Sequence, residues 1–219
     1  MRSTSRRANA GDPTTCPFTP NIGTSGVYFS FDSGRSWLQP TYRGLTARNC
    51  LGDPDYSATT DICQPQQGDI GTLPGYDQAG LVFNGDPALA FGPAPDPDGT
   101  FSWANGSRLY YANLAGNKTD SDVFNRPFAV AVSRIDGPAA TGLTPSIVQN
   151  QANWMAPLIV SKQSSTTFSE KPQIWSDDEV SSPFFGHVYA CLASFRSNSQ
   201  GNGLPQPLVV ATSIDGGTT

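Results

Sequence analysis

The chain has 219 residues, with 13 Lys and Arg against 18 Asp and Glu, a formal net charge of −5. Its 22 Gly and 19 Pro make up almost a fifth of it. An internal Gly costs a helix about 1 kcal/mol and an internal Pro about 3, so a helical bundle or coiled coil is excluded. The thinly spread basic residues argue against a nucleic-acid partner, which needs clustered positive charge. No apolar run approaches the roughly 20 residues that span a bilayer as a helix. With 37% hydrophobic residues, among them 12 Phe, 7 Tyr and 4 Trp, the chain can still bury a core. What remains is an acidic, turn-rich, all-β protein.

Residues 1–25 begin Met1-Arg2-Ser3-Thr4-Ser5-Arg6-Arg7 with no apolar stretch behind, which is not a secretory signal. They read as an extended or disordered tail. Residues 26–31 (GVYFSF) then lead into the turn Asp32-Ser33-Gly34, followed by Ser36-Trp37-Leu38. Residues 41–85 read as a long loop insertion in the domain spanning 26–219. That loop carries Tyr42, Arg43, Arg48, Tyr76 and Asp77, together with Cys50 and Cys63, a candidate disulfide bracketing a Gly/Asp/Pro/Thr-rich stretch.

Beyond it, period-2 patterning bounded by turn residues places strands at 87–91 (PALAF), 108–113 (RLYYAN), 128–135 (FAVAVSRI) and 155–161 (MAPLIVS). Further strands fall at 172–175 (PQIW), 187–194 (HVYACLAS) and 207–214 (PLVVATSI), with no helix among them. Cys191, inside an apolar run, reads as a buried free thiol. With no CxxC and a single His, no metal site is expected, and nothing points to a cofactor. Two formal glycosylation triplets, Asn105-Gly106-Ser107 and Asn117-Lys118-Thr119, fall where loops are expected. Paired cysteines and low charge point to a secreted or cell-surface protein.

The strands recur in order. Residues 107–112 (SRLYYA) match 186–191 (GHVYAC), and 130–137 (VAVSRIDG) match 209–216 (VVATSIDG), with Ser107 and Gly186, and likewise Asp136 and Asp215, both 79 residues apart. Residues 86–91 likewise resemble 170–175, which makes Asp86 and Glu170 equivalent. A repeat of several antiparallel strands without helices is the signature of a β-propeller blade.

One motif is more specific. Ser30-Phe31-Asp32-Ser33-Gly34-Arg35-Ser36-Trp37 fits Ser-x-Asp-x-Gly-x-Ser/Thr-Trp, and Ser213-Ile214-Asp215-Gly216-Gly217-Thr218-Thr219 repeats it up to the aromatic position. Arg134-Ile135-Asp136-Gly137 is a degenerate third copy. In such a turn the Asp accepts backbone N–H bonds, the Gly takes φ > 0, and the Trp packs back on the sheet. This pattern resembles the Asp-box (BNR repeat) of the sialidase superfamily.

The resemblance implies a partial sialidase-like β-propeller of about two and a half four-stranded antiparallel blades, a fragment of a longer protein. It makes Ser30, Asp32, Gly34, Trp37, Asp136, Ser213, Asp215 and Gly217 structural, on turns facing away from any active site. It further implies a glycoside hydrolase acting on, or a protein binding, terminal acidic sugars of glycans. Sialidases hold the sugar carboxylate with three arginines and use a Tyr nucleophile activated by Glu, with an Asp as acid/base. The family's Arg-Ile-Pro motif is not found in this chain, which favours the alternative of a non-catalytic secreted module binding glycan or protein.

On this topology the ligand face collects residues 41–86, 114–127, 162–171 and 195–206. Asp86 and Glu170, at the starts of innermost strands, are candidate catalytic carboxylates. Arg43, Arg48, Tyr76, Arg126, Lys171 and Arg196 are candidate binding residues, since Arg offers a carboxylate a bidentate fork.

Overall fold

The computed structural model describes residues 21–46, 66–125, 127–161 and 163–219. The tail before residue 21, the Cys50–Cys63 pair, Arg48 and Arg126 lie outside them. In chain order, β1 (Tyr42–Thr46) pairs antiparallel with β2 (Gln66–Ile70). A five-stranded sheet follows from β3 (Leu81–Phe83), β4 (Ala88–Pro95), β5 (Phe101–Asn117), β6 (Ala129–Gly137) and β7 (Trp154–Ile159). A three-stranded sheet of β8 (Thr167–Ser176), β9 (Val188–Arg196) and β10 (Leu208–Ser213) completes the described chain. Every pairing is antiparallel.

The β3 and β4 strands share one edge of β5. Between them the ladder continues, with Asn84 N–H donating to Leu114 O at 2.9 Å and Leu114 N–H donating to Gly85 O at 2.8 Å. The large sheet therefore has four rows in chain order, β3/β4, β5, β6 and β7. Strands β5 and β6 are buried on both faces, which is why their sequences run nearly unbroken in apolar and small residues.

One face carries Leu109, Tyr111, Ala115, Ala131 and Ile135. It packs against Val27, Tyr42, Leu73, Tyr76, Phe83, Val148 and Trp154. The opposite face carries Tyr110, Ala112, Leu114, Val130 and Val132. It meets Ile174, Val188 and Leu192 of the three-stranded sheet.

Two expectations need correction. Residues 41–85 are not a plain loop, since β1, β2 and β3 fall within them. The inward positions of β1 are Tyr42, Gly44 and Thr46, so no apolar alternation marks it. The space a Cβ on Gly44 would need is taken by Ile70, whose Cδ1 lies 2.7 Å from that point, so the pairing rests on fit rather than on pattern. A helix is also present, α1 (Pro145–Gln149), with Pro145 in its first turn and Thr144 capping it by accepting from Ile147 N–H at 3.3 Å. Its Val148 is buried, and Val148 O accepts from the Tyr42 hydroxyl at 2.5 Å.

The hairpin around Asp32 closes on a single antiparallel bridge, Phe29 with Leu38, instead of two full strands. Of the two glycosylation triplets, Asn105-Gly106-Ser107 lies within β5 and not in a loop, while Asn117 ends β5 and Lys118 and Thr119 follow it into a turn. Asn105 Nδ2 donates to Thr100 O at 3.0 Å and Asn117 Nδ2 to Phe124 O at 2.6 Å.

Candidate functional site where Asp86 meets Lys171

The chain enters β4 through Asp86-Pro87, while Lys171-Pro172 lies in the middle of β8, at the register shift between Glu170 and Gln173. A residue preceding proline is crowded by the ring and normally kept extended. Asp86 and Lys171 instead hold φ of 52° and 57°, the left-handed region rarely taken by residues with a Cβ. Such strain persists only where the surroundings fix it, and it concentrates at functional sites. Here the two residues meet. Lys171 Nζ lies 3.0 Å from Asp86 Oδ2 and 3.6 Å from Glu170 Oε2. The hydrogen bond and charge of Asp86, with Glu170 adding to them, raise the lysine above its ordinary value.

The ladders also correct the equivalence read from the sequence. Ala88 pairs with Ala112 and Gln173 with Cys191, and residues 112 and 191 are repeat partners. Pro87 therefore matches Pro172, and Asp86 matches Lys171, not Glu170. A register shift between Glu170 and Gln173 inserts the extra residue that displaced the sequence match.

The other candidates are dispersed. Arg43, on β1, pairs with Asp69 at 3.5 Å, both side chains well exposed. Arg196, at the end of β9, donates from Nε and Nη2 to Pro205 O at 3.1 and 3.0 Å. Tyr76 is not on a ligand face. It is buried in the core, with its hydroxyl donating to Asn113 Oδ1 at 2.5 Å and lying 3.1 Å from Ser133 Oγ, and burial raises it well above the ordinary phenol range. Neighbouring Asp77 is paired with Lys118. Among the described residues no group of His, Cys, Asp and Glu is arranged to hold a metal ion.

The turns at Asp32 and Asp215 are built alike. In the first, Gly34 N–H donates to Ser30 Oγ at 2.7 Å, Ser30 Oγ donates to Asp32 Oδ1 at 2.9 Å, and Ser36 gives Asp32 its amide at 2.9 Å and its hydroxyl at 2.6 Å. In the second, Gly217 N–H donates to Ser213 Oγ at 2.7 Å and Ser213 Oγ to Asp215 Oδ1 at 2.6 Å. Thr219 gives Asp215 its amide at 3.1 Å and its hydroxyl at 2.7 Å. Gly34 and Gly217 both hold positive φ, 85° and 80°.

Two details differ from expectation. Trp37 is 65% exposed and does not pack back on a sheet. Asp136 forms no such turn. It lies within β6, where Arg108 forks onto it, Nε to Oδ1 at 2.6 Å and Nη2 to Oδ2 at 2.8 Å. Pattern reading missed this pair because Arg108 and Asp136 face each other across β5 and β6 and carry no motif.

No family model, curated protein or solved structure matches this chain.

Proposed function

We propose that this chain contributes consecutive blades of a sialidase-like Asp-box β-propeller, secreted or cell-surface, that binds a terminal sugar of a glycan where Asp86, just before β4, meets Glu170 and Lys171 within β8. The observation that carries the reading is the pair of Asp-box turns made from one set of bonds. The chain-order meanders β4-β5-β6-β7 and β8-β9-β10, stacked face to face through their first strands, are what adjacent blades require.

At the proposed ligand edge, Asp86 and Glu170 offer acceptors for sugar hydroxyls and Lys171 offers a donor. Two carboxylates to one ammonium suit neutral hydroxyls better than an anion. An acidic sugar would therefore place its carboxylate on an arginine, of which Arg43 and Arg196 are the described candidates.

Titration of the 219-residue chain with sialyllactose and with lactose tests the reading. Binding of either that falls about tenfold in Lys171→Ala, in folded protein, supports it. Absence of saturable binding to both overturns it. Glycoside hydrolysis is a second reading, favoured by the two carboxylates at one edge. It requires turnover of a fluorogenic sialoside that Glu170→Gln abolishes.

A further inference from the structure

We infer that copies of this chain associate head to tail, the open face of the three-stranded sheet in one copy packing on the exposed side of β4 in the next. Head-to-tail packing follows from how the two sheets repeat and does not depend on sugar binding, so a sugar titration and the mixing experiment below can fail separately.

Inside the chain the two sheets already make one such contact. Strand β4 turns Ala88, Ala90 and Gly92 towards β8, which turns Ile174 and Ser176 back. Strand β5 adds Tyr110 and Ala112 to the first face, and β9 adds Val188 and Leu192 to the second.

The repeat carries the first face forward. Tyr110 corresponds to Tyr189 and Ala112 to Cys191, and through the ladders Ala88 corresponds to Gln173 and Ala90 to Trp175. Gln173, Trp175, Tyr189 and Cys191 thus form the repeat of a face that a neighbouring sheet covers, yet among the described residues no sheet covers theirs. Trp175 is 65% exposed, and Val210, opposite Cys191 on β10, is 58% exposed.

The surface that should cover it is open as well. Ile174 corresponds to Leu89 and Ser176 to Phe91. Leu89 and Phe91 point to the side of β4 away from Ala88 and Ala90, and both are more than half exposed. None of these side chains is charged, and exposed apolar groups of this kind mark an interaction surface. Because the two faces differ, the contact is heterologous and continues until copies close into a ring or run on as a filament.

Such a contact also repeats the Asp86–Lys171 edge. Lys171 Nζ meets Asp86 Oδ2 of its own copy at 3.0 Å. Next in line after Lys171 comes the partner's Asp86, so a second carboxylate–ammonium edge forms with one residue from each copy.

Trp175→Lys blocks one face and Phe91→Lys the other. Both side chains are exposed, so both variants should fold as the parent does by circular dichroism. Sedimentation velocity across a dilution series, under reducing conditions, reads the outcome. The parent should associate, and each variant alone should associate at least tenfold more weakly. An equimolar mixture of the two should regain association as a one-to-one dimer, because each variant keeps the face that the other has lost. Pairing along the β10 edge would weaken neither variant, since Trp175 lies on β8, the strand of that sheet furthest from β10, and Phe91 lies in the other sheet. A contact of one face with itself would spare Phe91→Lys. A parent chain that is monomeric at every concentration overturns the inference. So does either folded variant associating as the parent does, or a mixture no more associated than its components.

Discussion

Asp32 and Asp215 are the same residue used twice, and their turns show how much structure one carboxylate can organise. Each gathers a serine hydroxyl, an amide and a second hydroxyl from within a seven-residue stretch, so the carboxylate's own partners are all local. Asp215 is the more consequential, because its turn is also held from outside by Arg108 on Gly216 O and Arg134 on Gly217 O. Partial burial acts to raise the Asp215 carboxyl, but the bonds from Ser213, Thr218 and Thr219 outweigh it and hold the group well below the usual carboxylate range. A depressed folded value means that the contribution is present above the unfolded value of about 3.9 and is lost as pH falls through the folded one. Asp215→Asn should therefore be less stable than the parent at neutral pH, and the difference should shrink as the medium is acidified below about pH 4. Urea midpoints of both proteins at neutral, mildly acidic and strongly acidic pH measure this. A gap that stays constant across the series would mean that the carboxylate charge does not organise the turn.

Strand packing sets a different kind of constraint. Where β4 crosses β8, a Cβ on Gly92 would lie 2.1 Å from Ser176 Oγ and 2.8 Å from Ser176 Cβ. Gly92→Ala should cost about 1–3 kcal/mol through overpacking. Combining it with Ser176→Gly should recover part of that loss, because the two residues compete for one space. Chemical denaturation of the single and double variants decides the matter, and additive losses would place the strain elsewhere. The same contrast between local and distant causes explains what could be read in advance. The turns at Asp32 and Asp215 were legible because the bonds that shape them lie inside one short repeated pattern, and the strands from β4 onward were legible because their apolar runs and turn residues alternate. Strand β1 was hidden by Gly44 and Thr46 at its inward positions, and α1 by its brevity. The Asp86–Lys171 contact joins residues on separate sheets, so it depends on how those sheets meet, which no local pattern encodes. The misplaced equivalence of Asp86 with Glu170 has a related cause, since one bulged residue shifts the register within a strand without changing its composition.

At the scale of the molecule, β5 and β6 are covered on both faces while β10 is covered on one edge alone. It pairs with β9 and ends its sheet among the described residues, and Leu208, Val210 and Ile214 stand exposed along it. An unpaired apolar edge offers a row of free N–H and C=O groups to any other chain, and proteins that keep such edges usually guard them with charge or proline. Pro205 and Pro207 precede this strand, but Leu208–Ser213 itself carries neither charge nor proline. The chain should therefore associate in a concentration-dependent way through this edge, and Val210→Lys should shift it towards monomer. Val210 lies opposite Cys191 in the middle of the β9–β10 ladder, so one ammonium there disturbs edge pairing from both directions. Sedimentation velocity across a dilution series, run under reducing conditions so that Cys191 cannot cross-link chains, separates the outcomes. Association weakened by the lysine places the contact on β10. A parent chain that stays monomeric at every concentration shows that the edge is protected in solution. The substitution lies away from Asp86 and Lys171, so any change in sugar binding that accompanied it would mean the ligand edge depends on assembly.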